Sequence, residues 1–166
     1  MAKRYHLAEL NIAEALHPMD DARMDGFTSR INAINAMSDR ADGFVWRLVD
    51  DDPDTDGALD FRPFLNPNML VNMSVWQDVQ SLYQFVYKTV HAKLISDRKD
   101  WFSLLRSHST VLWWIEAGTV PTIEEAKAKL EQLDKTGPSP DAFTFANTFS
   151  ADRKPLDWRR PEKDCA

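Results

Sequence analysis

The chain has 166 residues, of which 43% are hydrophobic and 28% are charged, and its formal net charge is −6 at pH 7. These values are typical of one globular domain, and the acidic balance argues against a nucleic-acid partner because a negative field repels a phosphate backbone. The single cysteine, Cys165, excludes a disulfide framework, and no stretch has the apolar run of a signal peptide or a membrane span. We therefore predict a cytoplasmic protein without membrane or nucleic-acid partners.

Hydrophobic periodicity predicts a strand, a helix and two further strands in the first half of the chain. Apolar residues at three- and four-residue spacing indicate a helix that begins at Asp20 or Asp21 and ends near Ser38. Alternation and β-branched or aromatic residues indicate strands on both sides of this helix. These predicted strands cover residues 5–12, 44–49 and 70–76, with an acidic loop at 50–60.

The next segment is predicted to be helical and to lead into a fourth strand. Apolar residues recur at helical spacing from Asp78 to Leu105, with a break near 96–97 where a second helix begins. The bulky run 110–116 then predicts the fourth strand.

A last helix and a tail complete the predicted chain. Thr122 and Glu125 form a capping box for this helix, which stops at Gly137. The tail is too rich in aromatic residues for a free linker. We therefore predict one domain over residues 1–137 and a partly packed tail over 138–166.

The order β-α-β-β-α-β predicts an α+β fold of the ferredoxin-like, split β-α-β type, with an antiparallel sheet and two helices on one face. Alternation places Phe44, Trp46 and Leu48 on one face of strand two, and both faces of strands two and four are apolar. Two helices cover only one face, so a second copy of the sheet is expected to cover the other, which predicts a homodimer. The alternative is that the C-terminal helix and tail cover this face within one chain.

The third strand carries polar residues on a face that is otherwise suited to burial. Asn72, Ser74 and Trp76 share this face because side chains alternate along a strand. Their polar groups need hydrogen bonds, since an unsatisfied buried group costs roughly 1–3 kcal/mol. Either they satisfy each other and the backbone, or they line a pocket in which Asn72 holds a substrate oxygen and Trp76 forms an aromatic wall.

Tyr87 and His91 are the candidate proton-transfer groups. They lie four residues apart on the predicted second helix and therefore share a face. His91 is a good general acid or base because the unperturbed pKa of histidine, ~6.5, lies near neutral pH. The alternative is a histidine at the helix surface or an interface, bonded to a carbonyl.

Arg47 is a charge inside an apolar strand. Its guanidinium is predicted either to clamp an anionic substrate or to form a structural ion pair with one of the many acidic residues. The sequence has no glycine-rich phosphate loop, no nucleophile elbow and no pair of histidines at metal spacing. We therefore predict no metal site and disfavour nucleotide enzymes.

Six segments spread over most of residues 5–149 carry a resemblance to a known family. They are 7–13, 43–48, 70–76, 85–87 with His91, 111–114 and 137–145. Together they resemble an uncharacterised bacterial domain of unknown function, which is grouped with the dimeric α/β-barrel proteins. That group contains cofactor-free antibiotic-biosynthesis monooxygenases, heme-degrading monooxygenases and isomerases of small acids. The resemblance thus implies a dimeric α/β barrel.

The resemblance also implies a small-molecule enzyme, monooxygenase-like without a cofactor or isomerase-like, acting on a hydrophobic or aromatic substrate. Asn72 followed four residues later by Trp76 is similar to the pattern with which the cofactor-free monooxygenases hold their substrate. The alternative is a heme-binding or heme-degrading protein, with Asn11, Trp76 and His91 in the parts of the relatives' Asn, Trp and helix His. A third possibility is a non-catalytic binding or interaction module, which predicts a cavity that is very small or entirely apolar.

Overall fold

A computed structural model of the protein describes residues 3–49, 66–88, 93 and 97–157. The predicted acidic loop at 50–60 and the candidate base His91 lie outside the described residues. The strands are β1 (Tyr5–Glu14), β2 (Phe44–Arg47), β3 (Met69–Trp76) and β4 (Thr110–Glu116), and the helices are α1 (Asp25–Ser38), α2 (Val79–Lys88) and α3 (Ile123–Thr136). Within these residues, no helix has the length and apolar character needed to cross a membrane.

The four strands form one sheet in the order β2-β3-β1-β4, and every neighbouring pair is antiparallel. The strands β1 and β2, which α1 connects, therefore flank β3 instead of pairing with each other. This arrangement is the split β-α-β topology. The α+β, ferredoxin-like fold predicted from the element order is confirmed.

Local signals set the ends of the helices. The Asp21 carboxylate accepts the backbone N–H of Arg23 at 2.9 Å and caps a 3-10 turn (Ala22–Met24) that leads into α1. Thr122 Oγ1 accepts the backbone N–H of Glu125 at 3.1 Å and so caps α3. The Thr122 cap agrees with the sequence-based boundary, and Asp21 begins the helical segment as predicted, although α1 itself starts at Asp25 after the 3-10 turn.

Different helices pack on the two faces of the sheet. On one face, α3 places Leu130 and Leu133 against Leu10, Met73 and Trp113, and all five are buried. The C-terminal helix therefore covers this face within one chain, as the alternative predicts, whereas the aromatic residues of the tail pack on the other face. The homodimer stays a prediction, but α3 already covers the apolar face that a second copy was expected to cover. The other face is covered by α1 and α2 and carries the cavity described below.

The structure corrects the predicted face pattern of β2. Phe44 pairs with Trp76, whereas Trp46 pairs with its neighbour Val75, so the register shifts between these two pairs. This β-bulge means that Phe44 and Trp46 lie on opposite faces, although simple alternation places them together. Arg47 pairs with Ser74 and therefore lies on the α1–α2 face.

The structure also corrects the predicted helix that begins near residues 96–97. That segment forms a 3-10 turn (Arg98–Asp100) instead of a continuing helix. Phe102 then bridges Ala15, and Leu16 N–H donates to the Trp101 carbonyl at 2.8 Å. The apolar residues of this segment are spaced as in an amphipathic helix, but they pack along an extension of β1 instead.

The segment 139–157 packs against the domain. Phe143 exchanges backbone hydrogen bonds with Leu112 of β4 at 2.9 Å and is fully buried. Phe145 contacts the rings of Tyr83 and Tyr87 on α2 at centroid distances of 6.0 and 5.8 Å. This segment therefore contributes to the α1–α2 face and to one wall of its cavity.

Candidate functional site

A cavity of about 250 Å³ lies between the sheet and the helices α1 and α2. Its walls are mainly apolar and aromatic side chains from all of these elements. Its polar lining includes Glu9, Asn11, Arg47, Asn72, Ser74 and Arg98. A mostly apolar cavity with a few convergent polar groups is the usual form of a small-molecule site.

Strand register brings three of the polar residues into one row across the sheet. Ser74 of β3 pairs with Glu9 of β1 on one side and with Arg47 of β2 on the other. The next row along β1 pairs Asn11 with Asn72. The polar groups are thus concentrated in two adjacent rows of the cavity floor.

Glu9 is the buried carboxyl group of this site, with an exposed fraction of 7%. Ser74 Oγ donates a hydrogen bond to Glu9 Oε2 at 2.8 Å, and Trp76 Nε1 donates to Ser74 Oγ at 2.9 Å. Burial raises the pKa of Glu9 from 4.5 to about 7, and the hydrogen bond from Ser74 opposes this rise only in part. The carboxyl group therefore exchanges its proton near neutral pH.

Trp76 lines the cavity but is almost completely buried, with an exposed fraction of 1%, so its predicted role as an aromatic wall stays a prediction. It stacks on Phe85 at a centroid distance of 5.2 Å and meets the edge of Phe44 at 5.5 Å. Because its ring packs against Phe85 and Phe44 and its indole N–H is used by Ser74, Trp76 acts on the site through Ser74.

Asn72 and Asn11 differ in their freedom to bind a ligand. Asn11 Nδ2 donates to Thr110 Oγ1 at 2.7 Å, so its amide nitrogen is already engaged. Asn72 is exposed and, within the part of the chain that the structure describes, its side chain makes no hydrogen bond. Asn72 therefore lies at the cavity with both amide atoms available.

Arg47 takes part in the structural ion pair that was one of its two predicted roles. Its Nε and Nη2 donate to the two carboxylate oxygens of Asp39 at 2.7 and 3.2 Å. The guanidinium also lines the cavity. The predicted role of Arg47 in holding an anionic group stays a prediction.

Tyr87 also lines the cavity, but 45% of its surface is exposed. Its ring packs on Tyr83 at 4.6 Å, which places it at the rim and not at the floor. His91, its predicted partner, cannot be placed because it lies outside the described residues. The pairing of Tyr87 and His91 for proton transfer therefore stays a prediction.

The heme alternative can be tested on the two predicted partners that are described. The N–H groups of Asn11 and Trp76 both donate within the protein, to Thr110 and Ser74. They do not present free donors to a bound group, so these two residues do not fit the predicted role. The described residues also contain no group of three or more His, Cys, Asp or Glu side chains arranged to hold a metal ion.

Sequence reasoning missed Glu9 as a functional residue. Its signal is a charge between apolar neighbours in a strand, Leu7-Ala8-Glu9-Leu10. That pattern alone does not distinguish a buried carboxyl from an edge residue at the surface. The pairing of β1 with both β3 and β4 makes β1 an interior strand, and this decides that Glu9 is buried.

The model of one protein family matches residues 6–158, almost the whole chain. The chain belongs to the family DUF3291, a domain of unknown function. The resemblance to an uncharacterised family of this kind is therefore confirmed. No curated protein matches the chain.

Solved structures that are similar to this DUF3291 chain have low sequence identity. A protein of unknown function from Nitrosomonas europaea, NE2512, is 14% identical, covers 73% of this chain and 99% of its own, and has a TM-score of 0.43. SnoaB, a cofactor-independent oxygenase from Streptomyces nogalater, is 16% identical over 74% of this chain and 98% of its own, with a TM-score of 0.41. MupZ from Pseudomonas fluorescens is 12% identical over 78% and 82%, with a TM-score of 0.39.

Proposed function

We propose that this DUF3291 protein is a small-molecule enzyme in which the Glu9 carboxylate removes a proton from a hydrophobic or aromatic substrate. One observation carries the proposal: a buried carboxyl group with a pKa of about 7 lines an apolar cavity. Perturbed carboxyl groups in cavities are candidates for acid–base catalysis. A general base is most effective when its pKa lies near the working pH.

The hydrogen bonds around Glu9 divide the roles of its two oxygens. Ser74 holds Oε2, and Trp76 holds Ser74 in turn. Among the described residues no hydrogen bond reaches Oε1, so this oxygen is the proton acceptor. Ser74 is therefore a positioning residue for the base.

The rest of the cavity would bind the substrate. Phe85 and Phe102 line the cavity with apolar aromatic surface against which a substrate ring can pack. The free amide of Asn72 provides a donor for a substrate oxygen that gains negative charge when the proton leaves. The aromatic lining supports the hydrophobic or aromatic substrate that the resemblance implies.

Proton removal is the first step of both reaction types that the resemblance implies. In an isomerisation, Glu9 takes a proton from one carbon and returns it to another, so no oxidant is needed. In a cofactor-free monooxygenation, the deprotonated substrate gives electrons to dioxygen, and a CH₂ group plus O₂ yields a carbonyl group plus water. The cavity supports the shared first step.

The proposal is tested with a ketone that has an acidic carbon-bound proton and an aromatic ring. We expect the wild-type protein to accelerate hydrogen–deuterium exchange of 2-tetralone in D₂O, followed by NMR. Glu9→Gln should slow this exchange by about 100-fold or more, because it removes the base but keeps the shape of the side chain. The rate in the wild-type protein should rise with pH through about 7, the pKa of Glu9.

A matched control is Glu116→Gln, which changes an exposed carboxylate at the end of β4, outside the cavity. It should leave the exchange rate unchanged. Equal exchange by wild type and Glu9→Gln would refute the role of Glu9. If His91→Ala then abolished exchange, the base would be His91, as the sequence analysis predicts.

A further inference from the structure

We propose that the substrate of this cavity carries a carboxylate group and that Arg98 binds it. This inference rests on the proposed function, because it takes the cavity as the substrate site. It names a substrate class, a hydrophobic or aromatic acid, and a residue to which the sequence analysis assigned no role.

Arg98 lies in the 3-10 turn after α2, is half-buried and lines the cavity. In the part of the chain that the structure describes, no hydrogen bond or ion pair engages its guanidinium. Its neighbour Asp97 pairs with Arg30 at 3.9 Å instead. A partly desolvated guanidinium without a counter-charge is a natural partner for a carboxylate, which it binds through two parallel hydrogen bonds.

The other guanidinium of the cavity is already compensated. Both carboxylate oxygens of Asp39 accept hydrogen bonds from Arg47, so the positive charge of Arg47 is compensated and two of its N–H donors are used. A substrate carboxylate at Arg47 would have to displace Asp39. Arg98 has no such competitor among the described residues, and this difference assigns the anionic group to Arg98.

The positions of Phe85, Glu9 and Arg98 define how such a substrate would lie. Leu7 of β1 pairs with Trp76, Glu9 follows two residues later, and Phe102 bridges Ala15 beyond the end of the strand. Phe85, which stacks on Trp76, and Arg98, whose carbonyl accepts the N–H of Phe102 at 2.8 Å, therefore lie on opposite sides of Glu9 along β1. An elongated aromatic acid would place its ring against Phe85 and its carboxylate toward Arg98.

The charges that face the cavity are consistent with this arrangement. Glu9 is the acidic side chain that lines it in the described chain, and Arg47 and Arg98 are the basic ones. Separation along the strand keeps a carboxylate at Arg98 away from Glu9. The base and the anionic group can therefore occupy one cavity without strong mutual repulsion.

The test compares two ligands that differ by one carboxylate, 2-naphthol and 6-hydroxy-2-naphthoic acid, by titration calorimetry near pH 8. The wild-type protein should bind the acid about tenfold or more tightly than the neutral naphthol, and added salt should reduce this preference. Arg98→Gln should abolish the preference and leave the affinity for 2-naphthol unchanged. Arg106→Gln removes the same charge from an exposed position outside the cavity and should keep the preference. Thermal unfolding of each variant checks that the fold is retained.

Three results would overturn the inference: no preference in the wild-type protein, a preference that survives Arg98→Gln, or a preference lost only in Arg47→Gln. Failure of this inference and failure of the proposed function are distinguishable because the readouts differ. A preference that depends on Arg98, without exchange of 2-tetralone, would refute the role of Glu9 alone. Exchange that depends on Glu9, without any preference for the acid, would refute the role of Arg98 alone.

Discussion

At the scale of single residues, Glu9 has a cost in stability as well as a chemical use. A buried carboxyl group with a raised pKa is harder to ionise in the folded protein than in the unfolded chain. The hydrogen bond from Ser74 reduces this cost but does not remove it. Such a group is an unfavourable choice for a core position, which is why we connect it with function and not with packing.

This cost predicts a pH dependence of folding. Between pH 4.5 and about 7, the ordinary and folded pKa values of Glu9, the unfolded chain has released this proton and the folded protein still holds it. The free energy of unfolding should therefore fall as pH rises through this window, by roughly 3 kcal/mol. Between pH 4.5 and pH 8, the free energy of unfolding should decrease less in Glu9→Gln than in the wild type, by that same amount. Urea denaturation at the two pH values measures this difference. Glu116→Gln should behave like the wild type, and parallel pH profiles for all three proteins would contradict the raised pKa.

At the scale of elements, α3 shows both the strength and the limit of sequence motifs. Thr122 caps the helix as its motif predicts. The Glu125 side chain does not close the box in the usual way, because its Oε1 accepts the indole N–H of Trp113 at 2.9 Å. The motif therefore predicted the start of the helix, and the sheet determined what Glu125 binds.

Thr122→Ala should destabilise the protein by about 1 kcal/mol, the usual cost of losing an N-cap side chain. Thr122→Ser keeps the hydroxyl and should lose much less. Thr136→Ala is the matched control in the last turn of α3, where the hydroxyl donates to the carbonyls of Gln132 and Gly137 and caps no N–H group. Chemical denaturation measures all three values, and equal losses for Thr122→Ala and Thr136→Ala would show that the cap contributes nothing.

At the scale of the whole molecule, the sheet is covered on both faces within one chain. The cluster beneath α3 includes Val111, Trp113 and Ile115, each with an exposed fraction of 8% or less in a single chain. We therefore expect a homodimer to use a surface other than this buried sheet face. Sedimentation equilibrium measures this oligomeric state directly.

Leu130→Ala should lower the free energy of unfolding by about 2–5 kcal/mol, because it opens a space between α3 and the sheet. The loss should not depend on protein concentration, since α3 packs on its own chain. Leu104→Ala, at a position that is 93% exposed, should have little effect. A loss that grows on dilution would instead indicate that this face is a contact between two copies.

The sequence by itself determined the order of elements, the ferredoxin-like topology and the shared face of Asn72, Ser74 and Trp76. These depend on periodicity and side-chain alternation, which are local properties of the chain. Only the tertiary structure decided that Ser74 faces Glu9, that a bulge turns Arg47 toward the cavity, and that α3 covers the second face. Each of these depends on the register between strands or on packing between distant segments, and neither leaves a local signal. For that reason only the tertiary structure identified Glu9 as the candidate base, because burial between two neighbouring strands raises its pKa.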